Sequence, residues 1–139
     1  MKAELEELEA MWLELRAQVD ELAGERQQYY DFFEQASEAY VVTDEHGTIA
    51  DANGAAVDIL QRRKRYLRGK PLVVMVALER RTEFRRRLRA LCERTPGAQA
   101  SWRTIFVAPQ LRMDVKVSAR LIERERSVGG ICWHFEALA

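Results

Sequence analysis

The side chains that could do chemistry are few in this 139-residue chain, and they lie far apart in the sequence. There are two histidines, His46 and His134, and two cysteines, Cys92 and Cys132. No HExxH, GxSxG or P-loop pattern brings a nucleophile together with a base, or assembles a set of metal ligands. Two distant cysteines form neither a disulfide framework nor a four-ligand zinc site. The sequence therefore predicts a protein with no catalytic or metal site, which is not an enzyme by itself.

Both cysteines are interpreted as small core residues. Cys92 falls on the apolar stripe of a predicted helix, where a thiol usually packs as a small hydrophobe, and Cys132 is interpreted in the same way. Reduced thiols are typical of cytoplasmic proteins. The chain has neither an N-terminal secretory signal nor an apolar run of about 18 residues. These features predict a cytoplasmic protein with no membrane span.

Charge is strongly divided along the chain, although the formal net charge is zero. Residues 1–45 hold 13 acidic and 3 basic side chains, whereas residues 46–139 hold 9 acidic and 19 basic ones. The basic residues include two clusters, Arg62-Arg63-Lys64-Arg65 and Arg85-Arg86-Arg87 with Arg89. Such clusters on a connector or on the outer side of a helix are usually solvated surface. An acidic partner, including the chain's own acidic N-terminal helix, is therefore favoured over nucleic acid.

Residues 1–36 are predicted to form a coiled-coil helix. Apolar residues recur in steps of three and four over four to five heptads, and no proline interrupts them. The narrow stripe predicts a homodimer, and the alternative is a helix that packs on its own domain. Arg26 in the stripe leaves parallel or antiparallel pairing open. The predicted dimer interface consists of Leu5, Leu8, Trp12, Leu15, Val19, Leu22, Tyr29 and Phe33.

The rest of the chain alternates between strand and helix patterns. Gly47 suits a tight turn between two short strands, and Asn53 is a good N-cap for the short helix that follows. Helices are predicted at residues 54–61 and 79–94, and a polar loop at residues 123–127. The predicted strands are residues 40–44, 48–52, 101–108, 112–122 and 128–136. This order predicts an α+β fold in which an antiparallel sheet has short helices on one face.

Two segments carry a family resemblance. In residues 39–56, the positions of Asp44, Gly47, Ile49, Asn53 and the pair Ala55-Ala56 match the pattern D-x-x-G-x-I-x-x-x-N-x-A-A. Residues 67–72 match L-x-G-K/R-P-L. Together these segments resemble the PAS (Per-Arnt-Sim) sensory family. The resemblance implies a five-stranded antiparallel PAS domain at residues 37–139, after the coiled-coil helix, and structural rather than catalytic roles for Asn53 and Gly47.

The resemblance also implies a hollow between the sheet and its short helices, which family members use for a ligand. The alternative is that the core fills this hollow. An apolar lining would favour a small hydrophobic molecule, such as a fatty acid, over a dicarboxylate. The predicted lining is Val42, Ile49, Val57, Leu60, Leu72, Leu88, Leu91, Val115, Val117, Ile131 and Trp133.

The best-known cofactors of the family do not fit this sequence. Haem-binding members hold iron with a histidine on the long helix, but residues 79–94 contain no histidine. Flavin-binding photoreceptors carry a reactive cysteine in an N-C-R-F-L-Q stretch, which has no counterpart here. We therefore predict no resident cofactor. His134 is expected on the outer face of the sheet, because it alternates with Trp133 and Phe135.

The function that the resemblance implies is a sensory or regulatory module in signal transduction, in a two-component or related sensor protein. Such a module would dimerise through its N-terminal helix and relay a ligand or conformational signal to an effector domain or partner protein. The alternative is an adaptor with a filled core and a basic docking face for an acidic protein or RNA. The identity of the regulated partner stays open, as does the question of whether this chain is part of a longer one.

Overall fold

The computed structural model describes residues 2–124 and 127–138. The chain divides into two units between Phe33 and Glu34. Within the described residues, no helix combines the length and the apolar character needed to cross a membrane.

The first unit lies within a long helix, α1 (Lys2–Gln35), which confirms the predicted N-terminal helix. No described residue of this helix is buried. Phe33 is half-buried, and the other seven residues of the predicted dimer interface expose 55–75% of their surface. The helix therefore presents an apolar heptad stripe along its length.

The second unit is built on five strands, all paired antiparallel in the order β2-β1-β5-β4-β3, which confirms the predicted sheet. The strands are β1 (Ala39–Thr43), β2 (Ile49–Ala52), β3 (Gln99–Ala108), β4 (Leu111–Arg124) and β5 (Ser127–Ala137). The predicted loop at residues 123–127 was too long, because β4 and β5 stay paired as far as Arg124 and Ser127. The ladder is formed by backbone groups, so a polar sequence does not exclude it. Residues 125–126 lie outside the described residues.

Short helices follow the first hairpin. They are α2 (Gly54–Leu60), α3 (Lys64–Leu67) and α4 (Arg81–Cys92), with two 3₁₀ turns at Leu72–Met75 and Leu78–Arg80. The predicted helix at residues 79–94 is shorter at both ends, because its first turn is 3₁₀ and because α4 ends at Cys92 with Glu93 as its C-cap. Apolar side chains from these helices and turns pack with one face of the sheet into a single core.

The core side of each strand is set by alternation. Val115, Val117, Ala119 and Leu121 of β4 are all buried, as their spacing predicts. At the centre of the sheet, β1 and β5 approach so closely at Gly130 that a Cβ there would lie 2.6 Å from the carbonyl oxygen of Thr43. A glycine is therefore needed at this point of β5.

Candidate functional site

Most of the predicted pocket residues meet in the core. Val57 and Leu88 are half-buried and pack against it. Val42 does not belong with them: Val41 is fully buried on the core side, so the next residue of β1 points to the outer face. The pocket residues that are buried together in the core are Ile49, Leu60, Leu72, Leu91, Val115, Val117, Ile131 and Trp133.

Two aromatic rings that were not predicted as pocket residues, Phe84 and Trp102, occupy the space beside Trp133. Phe84 stacks on Trp133 with ring centroids 5.3 Å apart, and Trp102 meets both rings edge-on at 5.8 Å. Trp133 donates a hydrogen bond from Nε1 to the hydroxyl of Thr43 at 2.9 Å. The alternation of Trp102 with Phe106 along β3 was the available signal for their inward direction. Bulky side chains therefore pack between α4 and the sheet.

A groove of about 500 Å³ lies beside this aromatic cluster, between the β1–β2 turn and α4. Its apolar lining includes Val73, Phe84 and Leu88. Phe84 is buried and Leu88 half-buried. The exposed side chains of Arg85 and Arg89 also line it. The groove thus combines an apolar floor with a cationic rim, and it shares only Leu88 with the pocket predicted from the sequence.

Cys92 lies at the same groove rather than fully inside the core. It is half-buried, and its Sγ lies 3.3 Å from the carbonyl oxygen of Glu45, to which the thiol donates. Burial raises the pKa of this thiol, and the nearby carboxylate of Glu45 adds to the effect. Cys92 is therefore protonated at neutral pH and a poor nucleophile.

Cys132 and His134 lie on the outer face of the sheet. This position was predicted for His134, but the prediction that Cys132 is a core residue was wrong, because Ile131 and Trp133 take the inward positions of β5. Cys132 is half-buried, and burial raises the pKa of its thiol.

A polar cluster on this outer face joins β5 to the segment before β1. Tyr40 donates a hydrogen bond from its hydroxyl to Oε2 of Glu38 at 2.8 Å, and Nε2 of His134 lies 3.5 Å from the same oxygen. The hydrogen bond to Glu38 is the main reason that the pKa of Tyr40 is raised. The cluster therefore links Glu38, the residue just before β1, to β1 and β5.

Asn53 also holds the segment at the start of β1, through backbone contacts. Its Oδ1 accepts from the backbone N–H of Ala56, as an N-cap should, and also from that of Tyr40, both at 3.0 Å. Its Nδ2 donates to the carbonyl oxygen of Glu38 at 2.8 Å. Because Asn53 is fully buried, these contacts make it a structural link between α2 and the start of β1.

One basic residue of the first cluster is part of an ion-pair network. Lys64 contacts the carboxylate of Glu34 and lies 3.0 Å from that of Asp51, while Arg68 lies 3.5 Å from Asp51. Lys64, Glu34 and Asp51 are each only about a quarter exposed. Lys64 is therefore paired with carboxylates of the same chain, whereas the sequence predicted a solvated side chain.

The second cluster is largely solvent-facing. Arg85, Arg86 and Arg89 are exposed on α4. Arg87 differs, since it is half-buried, lies 3.5 Å from Glu83 and places its guanidinium 5.9 Å from the ring centroid of Trp102. In the described part of the chain, no group of three His, Cys, Asp or Glu side chains could hold a metal ion.

Comparison with protein families and curated proteins gave one match. The family described as the PAS fold matches residues 27–134. No curated protein matches the chain.

Solved structures with the same fold include bacterial and archaeal domains. The PAS domain of an HTR-like protein from Haloarcula marismortui has a TM-score of 0.74 at 13% identity, over 88% of this chain and 99% of that one. A domain of a sensory box sensor histidine kinase/response regulator from Geobacter sulfurreducens has a TM-score of 0.67 at 15% identity, over 83% and 96%. The PAS domain of a LuxR-family transcriptional regulator from Burkholderia thailandensis, in complex with ethanol, has a TM-score of 0.63 at 20% identity, over 79% and 96%. Because the identities are this low, the matches establish a shared fold and nothing beyond it.

Proposed function

Because the chain belongs to the PAS-fold family, we propose that it is a sensory or regulatory module of signal transduction that dimerises through α1. It relays a ligand-induced or conformational signal to an effector domain or a partner protein. We propose further that the module is cytoplasmic, non-enzymatic and without a resident cofactor.

The exposed heptad stripe of α1, which continues along the chain into the PAS domain, is the main support for dimerisation. Leu15 and Leu22, for example, are 60% and 64% exposed. Apolar side chains repeating at heptad spacing gain most by packing against a second helix. A second copy of the same helix presents a matching stripe, so a homodimer buries both.

The short link between α1 and the sheet supports the relay. Only residues 36–38 separate Gln35 from the first residue of β1. Within this link, Glu38 is held by Asn53 through its carbonyl oxygen, and by Tyr40 through its carboxylate. Glu34, in the last turn of α1, pairs with Lys64. A rearrangement around these contacts would therefore move the end of the helix, and coiled coils can hold alternative packings at small energy differences.

Two of the similar structures support a role in signalling. One is a domain of a sensor histidine kinase/response regulator, and another belongs to a transcriptional regulator and was solved with ethanol bound. Both are similar to this chain in fold, and the sensory role is inferred for this chain from the combination of that fold with α1.

The dimer is tested with two matched variants of the full chain. Leu15 lies in the stripe and Leu13 outside it, yet their exposed fractions are 60% and 62%. We expect the unaltered chain and Leu13→Glu to sediment as dimers at tens of micromolar, and Leu15→Glu to sediment as a monomer, because a buried carboxylate in the seam is unpaired. Monomers for all three proteins, or dimers for both variants, would contradict dimerisation through this stripe.

A further inference from the structure

We infer that the groove between the β1–β2 turn and α4 is a binding site for an anionic amphiphile, of the class of aliphatic monocarboxylates. This inference deepens the proposed sensory function by naming a site and a ligand class, and it rests on that function for its biological role. The aliphatic chain lies on the apolar floor, and the carboxylate lies between Arg85 and Arg89.

The groove borders the core of the domain. Its floor uses the side of α4 that carries Leu88, and Val73 lies opposite in the 3₁₀ turn. Phe84 is common to the groove and to the aromatic cluster of the core, where it stacks on Trp133. The volume of about 500 Å³ is within the range of small-molecule sites, roughly 300–1,000 Å³.

The β1–β2 turn forms one wall of the groove at close range. Gly47 has a φ of +86°, and a Cβ at this position would lie 3.1 Å from Cδ2 of Leu88. The backbone can approach α4 this closely because the turn residue has no side chain. The turn and α4 are therefore adjoining walls of the groove, and the apolar side chains between them suit an aliphatic chain.

The cationic rim is available for an anion. Arg85 and Arg89 are four residues apart on α4, so both project from the same face. Within the described residues, neither guanidinium has a carboxylate within 4 Å, whereas Arg86 and Arg87 both pair with Glu83. Two guanidinium groups on one face bind a carboxylate through charge-assisted hydrogen bonds.

The other charges at the rim favour a monoanion. Glu45 lines the groove, and one of its carboxylate oxygens lies 3.7 Å from Nε2 of His46, which also lines it. The negative charge of Glu45 opposes a second negative charge on the ligand. A single carboxylate on an aliphatic chain therefore fits the groove better than a phosphate dianion or a dicarboxylate.

The two cysteines of the chain provide the test, since one lies in the groove and the other does not. Cys92 lines the groove, and Cys132 lies on the outer face of the sheet. The full chain is alkylated with N-ethylmaleimide at about pH 8.5, near the ordinary pKa of a thiol, and each site is followed by peptide mass spectrometry. We expect submicellar dodecanoate to slow alkylation of Cys92 about fivefold or more and to leave Cys132 unchanged, while 1-dodecanol protects Cys92 much less.

Matched arginine variants test whether Arg85 and Arg89 bind the carboxylate of the ligand. Arg85→Gln combined with Arg89→Gln is expected to raise the half-protecting concentration of dodecanoate about tenfold, and Arg86→Gln, which alters an exposed neighbour outside the groove, to leave it unchanged. The inference is overturned by equal protection of both cysteines, by no protection, or by a double variant that behaves like the unaltered chain. Sedimentation reports separately on the dimer, so protection in a monomeric protein would support the site and contradict the proposed function.

Discussion

At the residue scale, the PAS signature residues act through backbone contacts. The Oδ1 of Asp44 accepts from the backbone N–H groups of His46 and Thr48, both at 2.9 Å, and so closes the first hairpin. Asn53 does the same for the start of α2 and for the segment before β1. The hydrogen-bond partners of the Asp44 carboxylate and the Asn53 amide are thus backbone groups, as their predicted structural roles require.

Asn53 is expected to be a main contributor to stability. Asn53→Ala removes an N-cap and leaves the N–H of Tyr40 and the carbonyl of Glu38 without their partner, which should lower the free energy of unfolding by about 2–4 kcal/mol. Urea unfolding followed by tryptophan fluorescence measures this. Asn53→Asp keeps the acceptor for both N–H groups but turns a carboxylate oxygen toward the carbonyl oxygen of Glu38 in a fully buried position, so it should also lower the stability. A loss of under about 0.5 kcal/mol for Asn53→Ala would show that the link is not important.

At the scale of elements, the contact of β1 with β5 depends on a backbone feature. Gly130 has a φ of +138°, and its missing side chain lets the two strands approach at Thr43. The register of β4 against β5 also shifts next to this point, between Ile122 and Glu123. The centre of the sheet is therefore shaped by a glycine with a local irregularity, rather than by side-chain packing alone.

Substitution of Gly130 tests this close contact against a glycine that has a positive φ but open space around it. Gly130→Ala should destabilise the domain by clearly more than Gly69→Ala, because Gly69 also has a positive φ, +82°, but has nothing within 4 Å of an added Cβ. The control should cost about 1–2 kcal/mol, the strain of a left-handed residue. Thermal or urea unfolding compares the two variants, and equal losses would show that the approach to Thr43 is easily relaxed.

At the scale of the whole molecule, the zero net charge is the sum of an acidic helix and a basic domain. The helix α1 carries ten acidic and three basic side chains. Two such helices repel each other, so the proposed dimer is held by the apolar stripe against its own charge. The basic side chains of the domain include Lys64, which forms ion pairs with Glu34 and Asp51, and Arg85 and Arg89, which line the groove beside α4.

This balance predicts the salt dependence of the dimer. Raising the salt concentration to about 1 M, where the Debye length is about 3 Å, should strengthen dimerisation, because it screens the repulsion and leaves apolar packing intact. Sedimentation equilibrium at low and high salt measures the dissociation constant. Dissociation at high salt would instead mean that ion pairs hold the two chains together.

Elements with strong local patterns were predictable from the sequence. Heptad spacing located α1, alternation located three long strands, and the segment from Asp44 to Asn53 identified the first hairpin and the N-cap. These features were predictable because each depends on residues close together in the chain, whose periodicity matches one secondary structure.

Which residues share a face or a site depends on long-range pairing and packing. The direction of β1, which turns Val41 inward and Val42 outward, depends on its register with β5, and a shift of one residue would reverse it. The same pairing places Cys132 on the outer face. The groove brings the β1–β2 turn together with Val73 and α4, from three separate parts of the chain. No local pattern encodes such a meeting, because it results from how the helices pack on the sheet.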